Sequence, residues 1–187
     1  IPVWRGQNEQ GMGLAAAAFA KASRRQQIMV ATSSIGPGAT NMVTAAGVAM
    51  SNRLPVLFLS GDTFVSRLPD PVLQQVEHFG TPSITVNDAF KPVVRYWDRI
   101  THPAQILSSL PQAVATMLDP GDCGPAFIGL PQDIAAEAYD FPEAFFDTHV
   151  HTIPRPRPDL TQLAKAVAAI RSAKRPVIIA GGGVHYS

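Results

Sequence analysis

Two short stretches of this chain hold residue types that could do chemistry together. The first is Arg5-Gly6-Gln7-Asn8-Glu9-Gln10-Gly11-Met12-Gly13, with a single carboxylate, Glu9, where a helix would begin. A carboxylate there complements the positive end of the helix dipole. In a partly desolvated crevice it can instead share a proton with a ligand nitrogen. The second stretch is Ser34-Ile35-Gly36-Pro37-Gly38-Ala39-Thr40-Asn41. Its glycines give a permissive turn, and they also let backbone come close to a planar ligand. Asn41 then lies one turn into the following helix. Asp62 and Asp70 flank a loop, residues 61–71, that reads as exposed and suits either binding or plain solvation.

These residues need elements to place them. Ile1 to Trp4 reads as a short buried strand. Asn8 can cap a helix running to about Ala22, with Lys21, Arg24 and Arg25 near its end. Ile28 to Thr32 reads as a strand, Ala39 to Asn52 as a helix, and Leu54 to Ser60 as a strand covered on both faces. Alternating strands and helices predict a parallel α/β sheet. Two strand-to-helix corners side by side at one edge of such a sheet make a ligand crevice. Further along, Pro71 to Phe79 suits a short helix and Ser83 to Val86 a strand. Phe90 to Trp97 fits no simple pattern. Ile106, Leu107, Leu110, Val114, Met117 and Leu118 follow helical spacing after His102-Pro103. Pro125 to Leu130 reads as another buried strand. Prolines at 142, 154, 156 and 158 mark a linker. Asp159 to about Lys174 then reads as a helix and Arg175 to Ala180 as a strand.

Bulk properties exclude several classes. The 187 residues are 46% hydrophobic and 16% charged, enough to bury a core. A net charge of +1 argues against electrostatic binding of nucleic acid. No apolar run approaches the roughly 20 residues of a membrane span; residues 13–20 come nearest and are alanine-rich. The single cysteine, Cys123, excludes an internal disulfide and a thiolate zinc cluster, and suits a reducing, cytoplasmic setting. The five histidines lack metal spacing, and His149 and His151 fall in the proline-rich linker. Gly181 to Ser187 carries only the start of a dinucleotide fingerprint.

Asn8-Glu9-Gln10-Gly11, Gly36-Pro37-Gly38-Ala39-Thr40-Asn41 and Leu54-Pro55-Val56-Leu57 ending at Gly61-Asp62 are specific in order and spacing. Together they resemble the pyrimidine-binding domain of thiamine diphosphate-dependent enzymes of the acetolactate synthase type. Ser34 to Ala45, Asn52 to Leu57, Asp70 to Glu77 and Arg95 to Thr101 resemble the branch that hydrolyses a cyclic 1,2-diketone in inositol catabolism. The resemblance implies thiamine diphosphate and Mg2+ as cofactors and a small-molecule substrate. It implies that Glu9 is catalytic, bonding N1′ of the aminopyrimidine with a raised proton affinity from burial. Pro37 and Asn41 would touch the same ring. Asn8 and Gln74 would meet substrate, although Gln75 could take the register of Gln74.

Two departures carry consequences. Many relatives have His where this chain has Asn8, which implies a changed substrate contact. The family's diphosphate motif is Gly-Asp-Gly with a downstream Asn, in another domain. Gly61-Asp62-Thr63 with Asn87 imitates it only by coincidence. No metal ligand is therefore expected in this chain, and an isolated chain should not turn over. The resemblance implies residues 1–138 as the pyrimidine-binding domain, lacking its first strand and helix. Residues 139–158 would be a linker, and 159–187 the start of a middle α/β domain of a longer protein. A half-site needs a partner, which implies a homodimer or higher homo-oligomer, with no nucleic acid and no membrane. An acetolactate synthase-like carboligase or decarboxylase is the alternative in the same chemistry. A non-catalytic dimerisation or interaction domain is the alternative outside it.

Overall fold

Alanine-rich runs at helical spacing become two helices packed face to face. Helix α1 spans Glu9–Ala22 and helix α2 spans Pro37–Ser51. A computed structural model describes residues 2–69, 72, 74–76, 78–155 and 157–186. Asn8 caps α1 by accepting a bond from the Gly11 amide at 2.7 Å, which satisfies one donor left over at a helix start. Ala16, Ala17 and Ala20 of α1 and Ala45, Ala46 and Ala49 of α2 are buried. Gly13 sets how near the helices come: a Cβ there would lie 2.6 Å from the Cβ of Ala45 and 3.1 Å from the Phe58 ring.

Strands β1 (Met29–Ser33), β2 (Val56–Asp62), β3 (Tyr96–Arg99) and β4 (Ala126–Pro131) form one parallel sheet. Their order is β1-β2-β4-β3. Side chains alternate between its faces. Val56, Phe58 and Phe127 pack with α1, α2 and Phe90, while Leu57 and Ile128 pack with Ala113 and Met117 of α3 (Ile106–Leu118). The sheet lies between helical layers, as the alternation of elements predicted. Phe90 stacks on Phe127 with ring centroids 4.2 Å apart. Each such buried ring contributes roughly 1.5–3 kcal/mol.

Several segments differ from the sequence reading. Ile1 lies outside the described residues, and Val3 and Trp4 are exposed and form no strand. A β-prone run needs a neighbour to complete its ladder, and no described strand pairs with it. Ser83 to Val86 is not a strand either. Thr85 and Asp88 form a capping box that starts a 3-10 helix, Val86–Val93. β3 then begins inside the stretch that periodicity left unassigned. Of the helix expected over residues 71–79, Pro71, Leu73 and Glu77 lie outside the described residues, and the remainder is not helical.

The chain divides into two units, residues 1–151 and 152–187. In the first, β4 leads into α4 (Gln132–Ala135) and a 3-10 turn, Glu143–Phe146, where the rings of Tyr139, Phe141 and Phe146 meet edge to face. In the second, Asp159 caps α5 (Leu160–Ser172) by accepting from the Gln162 amide at 2.9 Å. The strand expected over Arg175 to Ala180 is absent, and Val177, Ile178 and Ile179 are exposed. An all-apolar strand requires partners on its edges and faces, and none is present among the described residues. A 3-10 turn, Gly182–Tyr186, follows, so the glycine run lacks the strand-to-helix context of a dinucleotide site. No helix of the described residues is long and apolar enough to cross a membrane.

Candidate functional site

After β1 the chain turns through Ser34 and Ile35 into Gly36. Gly36 has φ of +73°, and a Cβ added there would sit 1.7 Å from the Gln74 carbonyl oxygen. Glycine alone suits both the backbone angle and the close approach. Pro37 takes the first position of α2, where its fixed φ and missing N–H suit a helix start. This corner aims α2 so that Asn41 meets the first residue of α1. Asn41 Nδ2 donates to Glu9 Oε2 at 2.9 Å. The spacing had suggested both residues; the fold brings them together across 32 positions.

An open cleft of about 450 Å³ lies against this pair. Glu9, Pro37, Asn41 and Gln74 all line it. Asn8 does not line it; its Oδ1 is engaged in the helix cap. Gln75, the other register open in the sequence, lines a separate cavity of about 170 Å³ with Arg67, His78 and Phe79. Ser34 and Thr40 also line the cleft and bring hydroxyls that the sequence reading did not assign. Their position inside the glycine-proline corner was the available signal.

Glu9 departs from expectation in one respect. Its carboxyl is half-exposed, and its pKa is lowered, first by the bond from Asn41 and then by its own backbone amide. Burial, which would raise it, is the smallest influence. The raised proton affinity expected of a buried carboxyl is thus absent in the open cleft.

Asp62 is a second correction. It does not border solvent; it ends β2 with 1% exposure. Asp70 lies outside the described residues. Arg99, at the end of β3, donates from Nε to Asp62 Oδ2 at 2.7 Å. Its Nη2 donates to Thr85 Oγ1 at 2.7 Å and to Asp88 Oδ2 at 2.8 Å. Burial favours a higher Asp88 pKa, but Lys91, the Thr85 amide and Arg99 together hold it down to about 2. Asn87 Nδ2 donates to the Gly61 carbonyl at 2.8 Å. Asp62 and Asn87, which imitate a diphosphate motif in sequence, are therefore used inside the fold. Among the described residues no three His, Cys, Asp or Glu side chains gather as a metal site. Cys123 is buried, its thiol donating to the Met117 carbonyl at 3.1 Å.

Residues 1–81 match the family described as "Thiamine pyrophosphate enzyme, N-terminal TPP binding domain". Residues 1–81 are thus similar to the N-terminal domain of thiamine pyrophosphate enzymes. All seven cleft-lining residues fall within that matched stretch. Over its full 187 residues the chain is 53% identical to the 3D-(3,5/4)-trihydroxycyclohexane-1,2-dione hydrolase of Geobacillus thermodenitrificans (strain NG80-2). It is 51% identical to the protein of the same name from Bacillus subtilis (strain 168). In both cases all of this chain is matched, and it spans 29% of the relative's length. Among solved structures it resembles the Rhodococcus jostii RHA1 thiamine diphosphate-dependent 4-hydroxybenzoylformate decarboxylase, with a TM-score of 0.70 and 20% identity. That likeness covers 92% of this chain and 31% of the other, and it concerns the fold.

Proposed function

We propose that this chain is the aminopyrimidine-binding part of a thiamine diphosphate-dependent hydrolase that opens a cyclic 1,2-diketone ring in inositol catabolism. The observation that carries this is the Glu9–Asn41 pair in an open cleft, in a chain about half identical to hydrolases of that name. The donor set fits the cofactor's ring. A carboxylate, a side-chain amide and two hydroxyls beside the apolar Pro37 suit a flat heterocycle with polar nitrogens. Glu9 would hold a proton at N1′, Asn41 would orient the carboxylate, and Pro37 would give the ring an apolar surface. A ligand covering the cleft would desolvate Glu9 and raise its proton affinity, reversing the influence that dominates in the open state. When bound, thiamine diphosphate supplies the carbon nucleophile and electron sink for C–C cleavage beside a carbonyl. Gln74, which lines the cleft, would meet substrate; Asn8, outside the cleft lining with its oxygen capping α1, would reach substrate only through its NH2.

The same reading places the diphosphate and Mg2+ ligands in another domain, beyond residues 1–138 as the pyrimidine-binding domain, 139–158 as linker and 159–187 as the opening of a middle domain. It also calls for a homodimer or higher homo-oligomer to complete the site, working in the cytoplasm. The test is Glu9→Gln in the whole polypeptide that carries these residues, supplied with thiamine diphosphate, Mg2+ and trihydroxycyclohexane-1,2-dione. Ring opening should fall by about 10²–10⁴-fold. Retained activity removes Glu9 from the mechanism. A wild type that consumes pyruvate and leaves the ring intact favours the carboligase. One that binds no thiamine diphosphate favours a non-catalytic interaction domain.

A further inference from the structure

Gln74, on the chain between β2 and the 3-10 helix Val86–Val93, forms one wall of the cleft, and its carbonyl oxygen lies where a Cβ on Gly36 would be. Gln74 holds φ of +67°, an angle that a non-glycine residue keeps only when its surroundings impose it. Such a wall needs fixed ends. Its first end follows Asp62, the last residue of β2, and its second end is Ser83 to Thr85. Arg99 touches both. Nε donates to Asp62 Oδ2 at 2.7 Å, Nη2 to Thr85 Oγ1 at 2.7 Å, and Nη1 to the Ser83 carbonyl at 3.3 Å. The fork geometry of a guanidinium permits these bonds at once; a lysine ammonium is a point charge on a flexible stem. Asn87 adds a second bridge to Gly61, and Asp133 holds the Val65 and Ser66 amides at 3.1 and 3.0 Å. Neither spans from Asp62 to Ser83.

We propose that Arg99 is a positioning residue for the cofactor cleft: by tying Asp62 to Ser83 and Thr85 it holds the Gln74 wall against Gly36. The proposal rests on the reading of the cleft as the thiamine diphosphate site. A plain stabilising role for Arg99 is the competing account, and the two differ in where the damage falls.

The experiment compares wild type with Arg99→Lys in the whole polypeptide. The lysine keeps a positive charge beside Asp62 and so protects folding, while the links to Ser83 and Thr85 are lost. Hydrogen exchange without cofactor should speed up about tenfold at residues 74–76 and 83–85, with the amides of β2 and β4 unchanged. Thiamine diphosphate titration should show about tenfold weaker binding, with kcat at saturating cofactor within about twofold of wild type. Thr85→Val, which keeps the Arg99–Asp62 pair, should shift both readouts the same way by a smaller factor. Unchanged exchange at 74–76 in Arg99→Lys overturns the proposal. So does acceleration spread evenly over β2 and β4, which marks simple destabilisation. A wild type that binds no thiamine diphosphate overturns the cleft reading, while the exchange contrast still decides whether Arg99 holds the wall.

Discussion

Glu9 and Asp62 stand at the same edge of the sheet, by the ends of β1 and β2, yet the fold treats them in opposite ways. Glu9 is half-exposed in an open cleft and receives one side-chain bond, from the neutral Asn41. Asp62 is buried, with a guanidinium at 2.7 Å and the Thr63 amide at 2.8 Å. Burying a charge is costly unless it is paired and bonded. The network around Arg99 satisfies that condition for Asp62. The cleft leaves Glu9 with capacity to spare, as a ligand-binding group requires. Carboxylates that look alike in sequence are thus sorted by how complete their partner set is.

The contrast is broken most severely from the buried side. Asp62→Ala takes one charged partner from Arg99 and leaves a cavity, with Asp88 and Thr85 still bonded to it, and loss of one partner from a buried pair costs up to about 3–5 kcal/mol. Urea unfolding should show that loss, whereas Glu9→Gln should leave the midpoint almost unmoved. Equal losses in the two variants would erase the distinction between network and cleft. Gly36→Ala comes next. Its Cβ would meet the Gln74 carbonyl at 1.7 Å and its φ is +73°, so the corner must shift at a cost of about 2–3 kcal/mol. Thiamine diphosphate binding should fall further than stability does, because the shift separates Pro37 and Asn41 from Glu9. A titration beside a melting curve separates the two effects.

A finer change sharpens the comparison within the cleft. Asn41→Ala removes the largest influence that lowers the Glu9 pKa. The Glu9 carboxyl should then titrate at higher pH, nearer its ordinary value of 4.5, as followed by NMR of the side chain. Stability should change little, since the bond is only part-buried and Glu9 stays half-exposed. A Glu9 titration that does not move would mean that Asn41 fails to tune it.

The layered sheet was legible because its signals are local and periodic. Val56 to Leu59 reads as a continuous apolar run, and α3 keeps its helical spacing. The glycine-proline corner was legible too, since Gly36 and Pro37 each impose their own backbone angle. The Arg99 network was not. Its members are 37 and 11 positions apart, and no local pattern marks a buried Asp from a solvated one. The strand expected at Arg175 to Ala180 failed for the converse reason. Apolar residues specify that a segment can be buried, and only its neighbours decide whether it is.

Acid exposes the smallest difference. Asp88 has a pKa of about 2 in the fold against an ordinary 3.8. A lowered pKa means that its ion pairs with Lys91 and Arg99 add full stability above about pH 4. That stability is lost as pH falls through about 2. Asp88→Asn should therefore be less stable than wild type at neutral pH and converge on it near pH 2, in urea midpoints taken across that range. Glu9 is also shifted downward, but its exposed carboxyl is screened by water. The Glu9→Gln curve should follow wild type closely throughout. If it flattened as much as the Asp88→Asn curve, Glu9 would be holding the fold together, and the cleft would be a second structural network in place of an open site.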